Sequence, residues 1–108
     1  MTSRYGHGRS KYNNVKTELD GIRFDSKAEA RRYSELMLLL RAEEIQGFDR
    51  QPSFLLPGDV RYMPDFIVCG ADGQVWVEDV KGVTTAAFRI KQKLWLERYP
   101  WMELRIIR

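Results

Sequence analysis

Two apolar runs, RYMPDFIVC and QVWVEDVK, flank the turn Gly70-Ala71-Asp72-Gly73, and this pairing constrains the fold more than any other feature. A Gly/Asp turn between runs rich in Val, Ile, Phe and Trp predicts two adjacent strands. Both runs carry charge where a core strand ordinarily does not: Asp65 enters the first, and Glu78, Asp79 and Lys81 end the second. Period-two alternation puts Val75, Val77, Asp79 and Lys81 on one face of the second strand and Trp76, Glu78 and Val80 on the other. Asp79 and Lys81 therefore project together, and Glu78 is excluded from their face. Pro64 lacks a backbone N–H, so it predicts an edge or a bulge within the first run.

The segments on either side complete an α/β pattern. Asp20-Gly21 within VKTELDGIRFDS is the favoured two-residue hairpin turn. From Ser26 to about Glu44 the spacing is helical and opens on the capping box Ser26-Lys27-Ala28-Glu29. Tyr33, Leu36 and Leu40 make its apolar stripe, and Glu29 falls within about 40° of all three on a helical wheel. A carboxylate thus stands at the first turn of the face expected to pack on a sheet. Gly47 is the expected stop, with QPSFLL as the next strand. A second helix is expected from Thr85 to about Arg98, ended by Pro100 and followed by MELRIIR as a last strand. Lys91 lies amid its apolar positions Ala87, Phe88, Leu94 and Trp95, within about 60° of each.

A length of 108 residues suits one hydrophobic core. Residues 1–14 carry Arg4, His7, Arg9 and Lys11 among Gly, Ser and Asn without hydrophobic periodicity, so they read as a basic arm, either phosphate-contacting or simply solvated. Residues 15–108 read as a single domain. One cysteine, Cys69, and one histidine, His7, exclude an internal disulfide and a zinc site of the usual Cys/His type. Any metal must then be held by oxygen, which suits Mg²⁺ or Mn²⁺. The net charge of +3 and pI near 9.2 permit a polyanionic partner. No run approaches the roughly 18 apolar residues of a membrane span, and the first residues lack a signal-peptide core, so a soluble, cytoplasmic protein is expected.

Each charged feature has a bland explanation. An Asp-x-Lys can be a polar strand end, Glu29 already serves the capping box, Lys91 can snorkel over Phe88, and Asp65 can simply end a bulge. Their combination is more specific. Charged groups on core-facing positions require partners, and a divalent cation is one that carboxylates can share.

The order of helical Glu29, then Pro64-Asp65, a hairpin, and Asp79-Val80-Lys81-Gly82 resembles the PD-(D/E)XK nuclease superfamily over roughly residues 16–108. More narrowly, KYNNVKTELDGIRFDSKAEARRY with QPSFLL, VEDVKG and FRIKQKLWLERYP is similar to a small phage and prophage family catalogued without an assigned function, whose members are assigned to that superfamily. The resemblance implies a restriction-endonuclease-like α-β-β-β-α-β core, a mixed sheet packed by two helices, with an N-terminal hairpin. It implies that Asp65, Asp79 and the Val80 carbonyl ligate Mg²⁺, with Mn²⁺ as a substitute, and that Glu29 binds the metal directly or through water. Lys81 would handle the nucleophilic water and Lys91 would reach the site from the second helix. An aspartate at position 79, where glutamate is frequent, is a variation that the motif allows.

The implied activity is Mg²⁺-dependent hydrolysis of DNA phosphodiesters leaving 5′-phosphate and 3′-hydroxyl ends. Arg4, Arg9, Lys11, Lys16, Arg89 and Lys93 are the candidates for DNA phosphate contacts. So little chain lies beyond the core that structure-selective cutting of branched recombination intermediates, as by a Holliday-junction resolvase in a phage or prophage, is the favoured expectation. Two symmetric cuts would require a homodimer, for which outward-facing Leu38 and Trp76 are candidate contributors. The alternative is a non-catalytic nucleic-acid-binding or assembly module that retains the nuclease fold.

Overall fold

The computed structural model describes residues 16–108, so the expected basic arm with Arg4, Arg9 and Lys11 lies outside the described residues. The chain divides into two compact units, residues 1–35 and 36–108.

In the first unit, β1 (Thr17–Leu19) pairs antiparallel with β2 (Ile22–Phe24). The expected turn joins them: Asp20 (φ 54°) and Gly21 (φ 77°) both adopt the left-handed conformation that a type I′ turn demands. Helix α1 (Lys27–Arg41) begins here and continues into the second unit. The Ser26 hydroxyl accepts the Glu29 N–H at 3.1 Å, which satisfies one of the donors a helix start leaves open. Phe24 is buried with its ring 5.1 Å from that of Tyr33.

Helix α1 does not run on to Gly47. The Glu44 N–H donates to Leu39 O at 2.8 Å and the Glu43 N–H to Leu40 O at 3.0 Å, the paired bonds of a Schellman stop. Glu43 takes the left-handed position (φ 62°) where glycine is usual. Gly47 instead lies inside β3 (Ile45–Arg50), a strand absent from the sequence reading, where the register shifts between Ile45 and Gly47. A glycine within a strand marks such a bulge as readily as it marks a stop.

The expected strands after it are also rearranged. QPSFLL supplies β4 (Phe54–Leu56), which pairs only with β5 (Val60–Tyr62) in a separate two-stranded sheet. The RYMPDFIVC run is therefore cut at Pro64 into β5 and β6 (Phe66–Gly70), members of different sheets, rather than bent as one strand. With β7 (Val75–Val80), α2 (Ala86–Arg98) and β8 (Glu103–Ile107), the main sheet has the order β3-β6-β7-β8. The pairs β3–β6 and β6–β7 are antiparallel and β7–β8 is parallel, with α2 as the crossover. The fold is thus α/β with a mixed sheet, and its main-sheet strands and helices follow the expected α-β-β-β-α-β order with β3 as the first strand.

Thr85 caps α2 by accepting the Phe88 N–H at 3.1 Å, as the predicted start requires. Phe88 and Trp95 from α2 join Leu56, Tyr62 and Val77 in one buried cluster, with Leu104 and Ile106 of β8 against it. Trp95 fixes the end of the crossover by donating its indole N–H to Met102 O at 2.7 Å. Among the described residues no helix is long and apolar enough to cross a membrane.

The two residues expected to face outward part company. Leu38 is 60% exposed, whereas Trp76 is only 9% exposed. The Trp76 indole donates to Glu78 Oε2 at 2.9 Å, and the Arg105 guanidinium lies 3.8 Å from the centroid of its ring. Trp76 is thus withdrawn from the surface offered to a partner.

Candidate active site

The carboxyl end of β7 carries the chemistry. Val77 sits in the cluster beneath α2, and by alternation Asp79 and Lys81 leave the strand on the same side. Asp79 is 5% exposed, so its carboxylate must be satisfied by protein groups or by a bound cation. Tyr62, at the end of β5, donates its hydroxyl to Asp79 Oδ2. Lys81 Nζ lies 3.6 Å from Asp79 Oδ1 and 4.7 Å from the centroid of the Phe88 ring.

Asp65 reaches the same corner from the Met63-Pro64-Asp65 link between β5 and β6. Its Oδ2 accepts the Val80 N–H at 2.8 Å, and its carbonyl accepts the Gln51 N–H at 2.9 Å. Lys91 is presented by the second turn of α2, with Nζ 5.6 Å from the centroid of the Tyr62 ring. Asp65, Asp79, Lys81 and Lys91 line one cavity of about 450 Å³, together with Tyr62 and Arg61. Four of the five candidate catalytic side chains are thereby brought together.

The cavity's electrostatics register on Tyr62. Its hydroxyl proton is held far more tightly than usual, first because burial disfavours phenolate, then through the hydrogen bond to Asp79 and the charges of Asp79 and Asp65. Both carboxylates thus act on the Tyr62 hydroxyl in the same direction. That convergence, with an all-oxygen donor set, fits a hard divalent cation better than a softer one. Among the described residues no three His, Cys, Asp or Glu side chains form a metal-binding group. Asp65 and Asp79 are the carboxylates that line the cavity itself.

The fifth candidate, Glu29, belongs to the first unit. It is 4% exposed in the first turn of α1, where its own N–H is capped by Ser26. Glu78, excluded by alternation, is fully buried and bonded to Trp76. Of the candidate DNA contacts, Lys16 is exposed and pairs with Asp25 at 3.2 Å. Arg89 and Lys93 are exposed one turn apart on α2, and Arg89 also donates to Thr84 O at 3.2 Å.

Tyr62 escaped the sequence reading. It lies in a run read simply as a strand, although a tyrosine entering a core brings a hydroxyl that needs an acceptor. That requirement, next to a strand pair ending in carboxylates, was the available signal.

Neither a curated protein nor a solved structure matches the chain. A family model does match, over residues 9–108, and its description is "Protein of unknown function (DUF1064)". With nearly its whole length matched, the chain belongs to the DUF1064 family.

Proposed function

We propose that this DUF1064 member is a Mg²⁺-dependent DNA endonuclease of the PD-(D/E)XK type. The observation that carries the reading is the gathering of Asp65, Asp79, Lys81 and Lys91 around one cavity, with Asp79 buried between Tyr62 and Lys81. A pure nucleic-acid binder gains little from paired carboxylates beside DNA, since they repel phosphate unless a cation intervenes.

In this reading Asp65 and Asp79 would hold Mg²⁺ or Mn²⁺, with the Val80 carbonyl as a further oxygen donor. The cation supplies Lewis-acid activation and neutralises charge on the phosphoryl group. Lys81, already beside Asp79, orients the attacking water, whose proton passes to solvent. Lys91 stabilises the negative charge that grows on the phosphoryl oxygens. Water adds to phosphorus as the P–O3′ bond breaks, leaving a 5′-phosphate and a 3′-hydroxyl. Arg89 and Lys93, with Lys16 and the arm residues Arg4, Arg9 and Lys11, bind backbone phosphates without reading bases.

The proposed substrate is branched DNA of the Holliday-junction kind, cut by a homodimer in the cytoplasm of a phage- or prophage-bearing bacterium. Labelled four-way, flapped, single-stranded and linear DNA incubated with protein and Mg²⁺ tests this. Preferred cutting of the four-way and flapped forms is expected, with a dimeric mass by sedimentation. Equal cutting of linear duplex removes the structure selectivity, and cutting of none removes the nuclease. The lack of a three-residue metal group among the described residues favours the rival reading, a non-catalytic nucleic-acid-binding module, which predicts DNA binding indifferent to Mg²⁺.

A further inference from the structure

The segment 62–65 and the strand end 79–80 are cross-tied. Each supplies one carboxylate, Asp65 or Asp79, and each also supplies the donor that aims the other's. The Val80 N–H holds Asp65 Oδ2 at 2.8 Å, and the Tyr62 hydroxyl holds Asp79 Oδ2. The Tyr62 bond bridges separate sheets, since Tyr62 ends β5 of the two-stranded sheet and Asp79 lies in β7 of the main one, and the Val80 bond ties the link between β5 and β6 to β7. Between them they fix the spacing and orientation of the two acidic groups at the mouth of the cavity.

We infer that Tyr62 is the positioning residue for Asp79, holding one carboxylate oxygen so that the other is presented toward Lys81 and the cation, an inference that rests on the cation-site reading above. Three observations support it. Tyr62 is buried, with its ring among Phe88 and Trp95 at centroid distances of 6.3 and 6.0 Å, so the hydroxyl cannot swing away without disturbing the core. Asp79 has its oxygens divided, Oδ2 to Tyr62 and Oδ1 to Lys81 at 3.6 Å, so the two contacts together set the orientation of the carboxylate. An ionised carboxylate can only accept, so the Tyr62 hydroxyl is the donor in this bond and the direction of the restraint on Asp79 is fixed. Lys91 over the same ring ties its own placement to Tyr62. Donors behind a ligating carboxylate act in this way on metal affinity without touching the metal.

Tyr62→Phe removes the hydroxyl and keeps the ring. Mn²⁺ binding, followed by the electron paramagnetic resonance of free Mn²⁺, should weaken about ten- to a hundredfold in this variant. Cleavage should lose kcat while KM for DNA stays within about twofold, because no DNA contact is removed. A residue that only supports the fold would lower Tm and leave Mn²⁺ affinity at the wild-type value, and that result overturns the inference.

Wild type and Asp79→Ala run alongside separate the two claims. No Mn²⁺ binding by wild type overturns the cation reading and this inference with it. Binding by wild type that Asp79→Ala abolishes and Tyr62→Phe leaves intact overturns only the role of Tyr62. Should Tyr62→Phe fail to fold, the hydroxyl proton of Tyr62 in wild-type protein decides the matter by NMR. Its downfield resonance should shift on Mg²⁺ titration, and a resonance unmoved at saturating Mg²⁺ overturns the inference.

Discussion

At the scale of single residues, Asp79 shows how a buried charge is tolerated. Its carboxylate is 5% exposed and is met by a neutral donor on one oxygen and an ammonium beside the other. Asp79→Asn keeps the shape and can still accept the Tyr62 hydroxyl, so its urea midpoint should correspond to a change of no more than about 1 kcal/mol. The same variant removes the ligand charge, and cleavage should fall by about a thousandfold.

Tyr62 adds a pH dependence of definite sign. Its folded pKa is raised above the ordinary value near 10, chiefly by burial and then by Asp79. The stability that its neutral form contributes is therefore complete below about pH 10 and is lost as pH rises through and beyond that value. Urea midpoints measured from about pH 8 to about pH 11 should fall in wild type and fall less in Tyr62→Phe. Equal slopes would show that the hydroxyl is not the group being titrated.

The placement of Asp79, Lys81 and Lys91 was legible in the sequence because strand alternation and the helical wheel are rigid rules over short spans, whereas Asp65 stood out only as a charge entering an apolar run. Tyr62 was not legible, because its acceptor lies 17 residues away and in another sheet. No local period records that meeting.

Among the elements, the legible ones were those whose ends carry their own chemistry. Asp20-Gly21 fixed the first hairpin, and Thr85 with Pro100 bounded α2. The stop of α1 was illegible because Glu43 occupies the left-handed position and Gly47 does not. A glutamate there bears strain that glycine lacks, so Glu43→Gly should stabilise the protein by about 0.5–1 kcal/mol, read as a rise in urea midpoint at unchanged slope. Strand β3 was hidden for the same reason, its glycine being a bulge rather than a boundary. At the β6–β7 turn the opposite substitution is costly. A Cβ at Gly70 would stand 2.9 Å from the Trp76 ring, which is held by Glu78 and covered by Arg105. Gly70→Ala should therefore destabilise by about 1–3 kcal/mol in the same assay.

For the whole molecule, the local rules recovered the α/β class and the side of β7 on which Asp79 and Lys81 collect, while the strand and helix order came from the resemblance. They did not recover the partition into a main sheet and a separate β4–β5 hairpin, because Pro64 breaks a run whose hydrophobicity is continuous. That break is what lets β5 bring Tyr62 across to β7. The modest positive charge of +3 is consistent with phosphate binding spread over several exposed side chains. Lys93→Ala should weaken binding to all DNA sequences alike and reduce the slope of log K against log salt by about 1. A loss confined to one sequence would contradict a backbone contact.

The proposed function requires Asp65, Asp79 and Lys81 to form a cation-dependent hydrolytic centre. Single-turnover cleavage of end-labelled four-way DNA, with Mg²⁺ varied for wild type and Lys81→Ala, tests it most directly. Wild type should cut in a saturable, Mg²⁺-dependent manner, and Lys81→Ala should be slower by at least about a hundredfold at undiminished DNA binding. Cutting that persists in chelator, or at the same rate in Lys81→Ala, would contradict it.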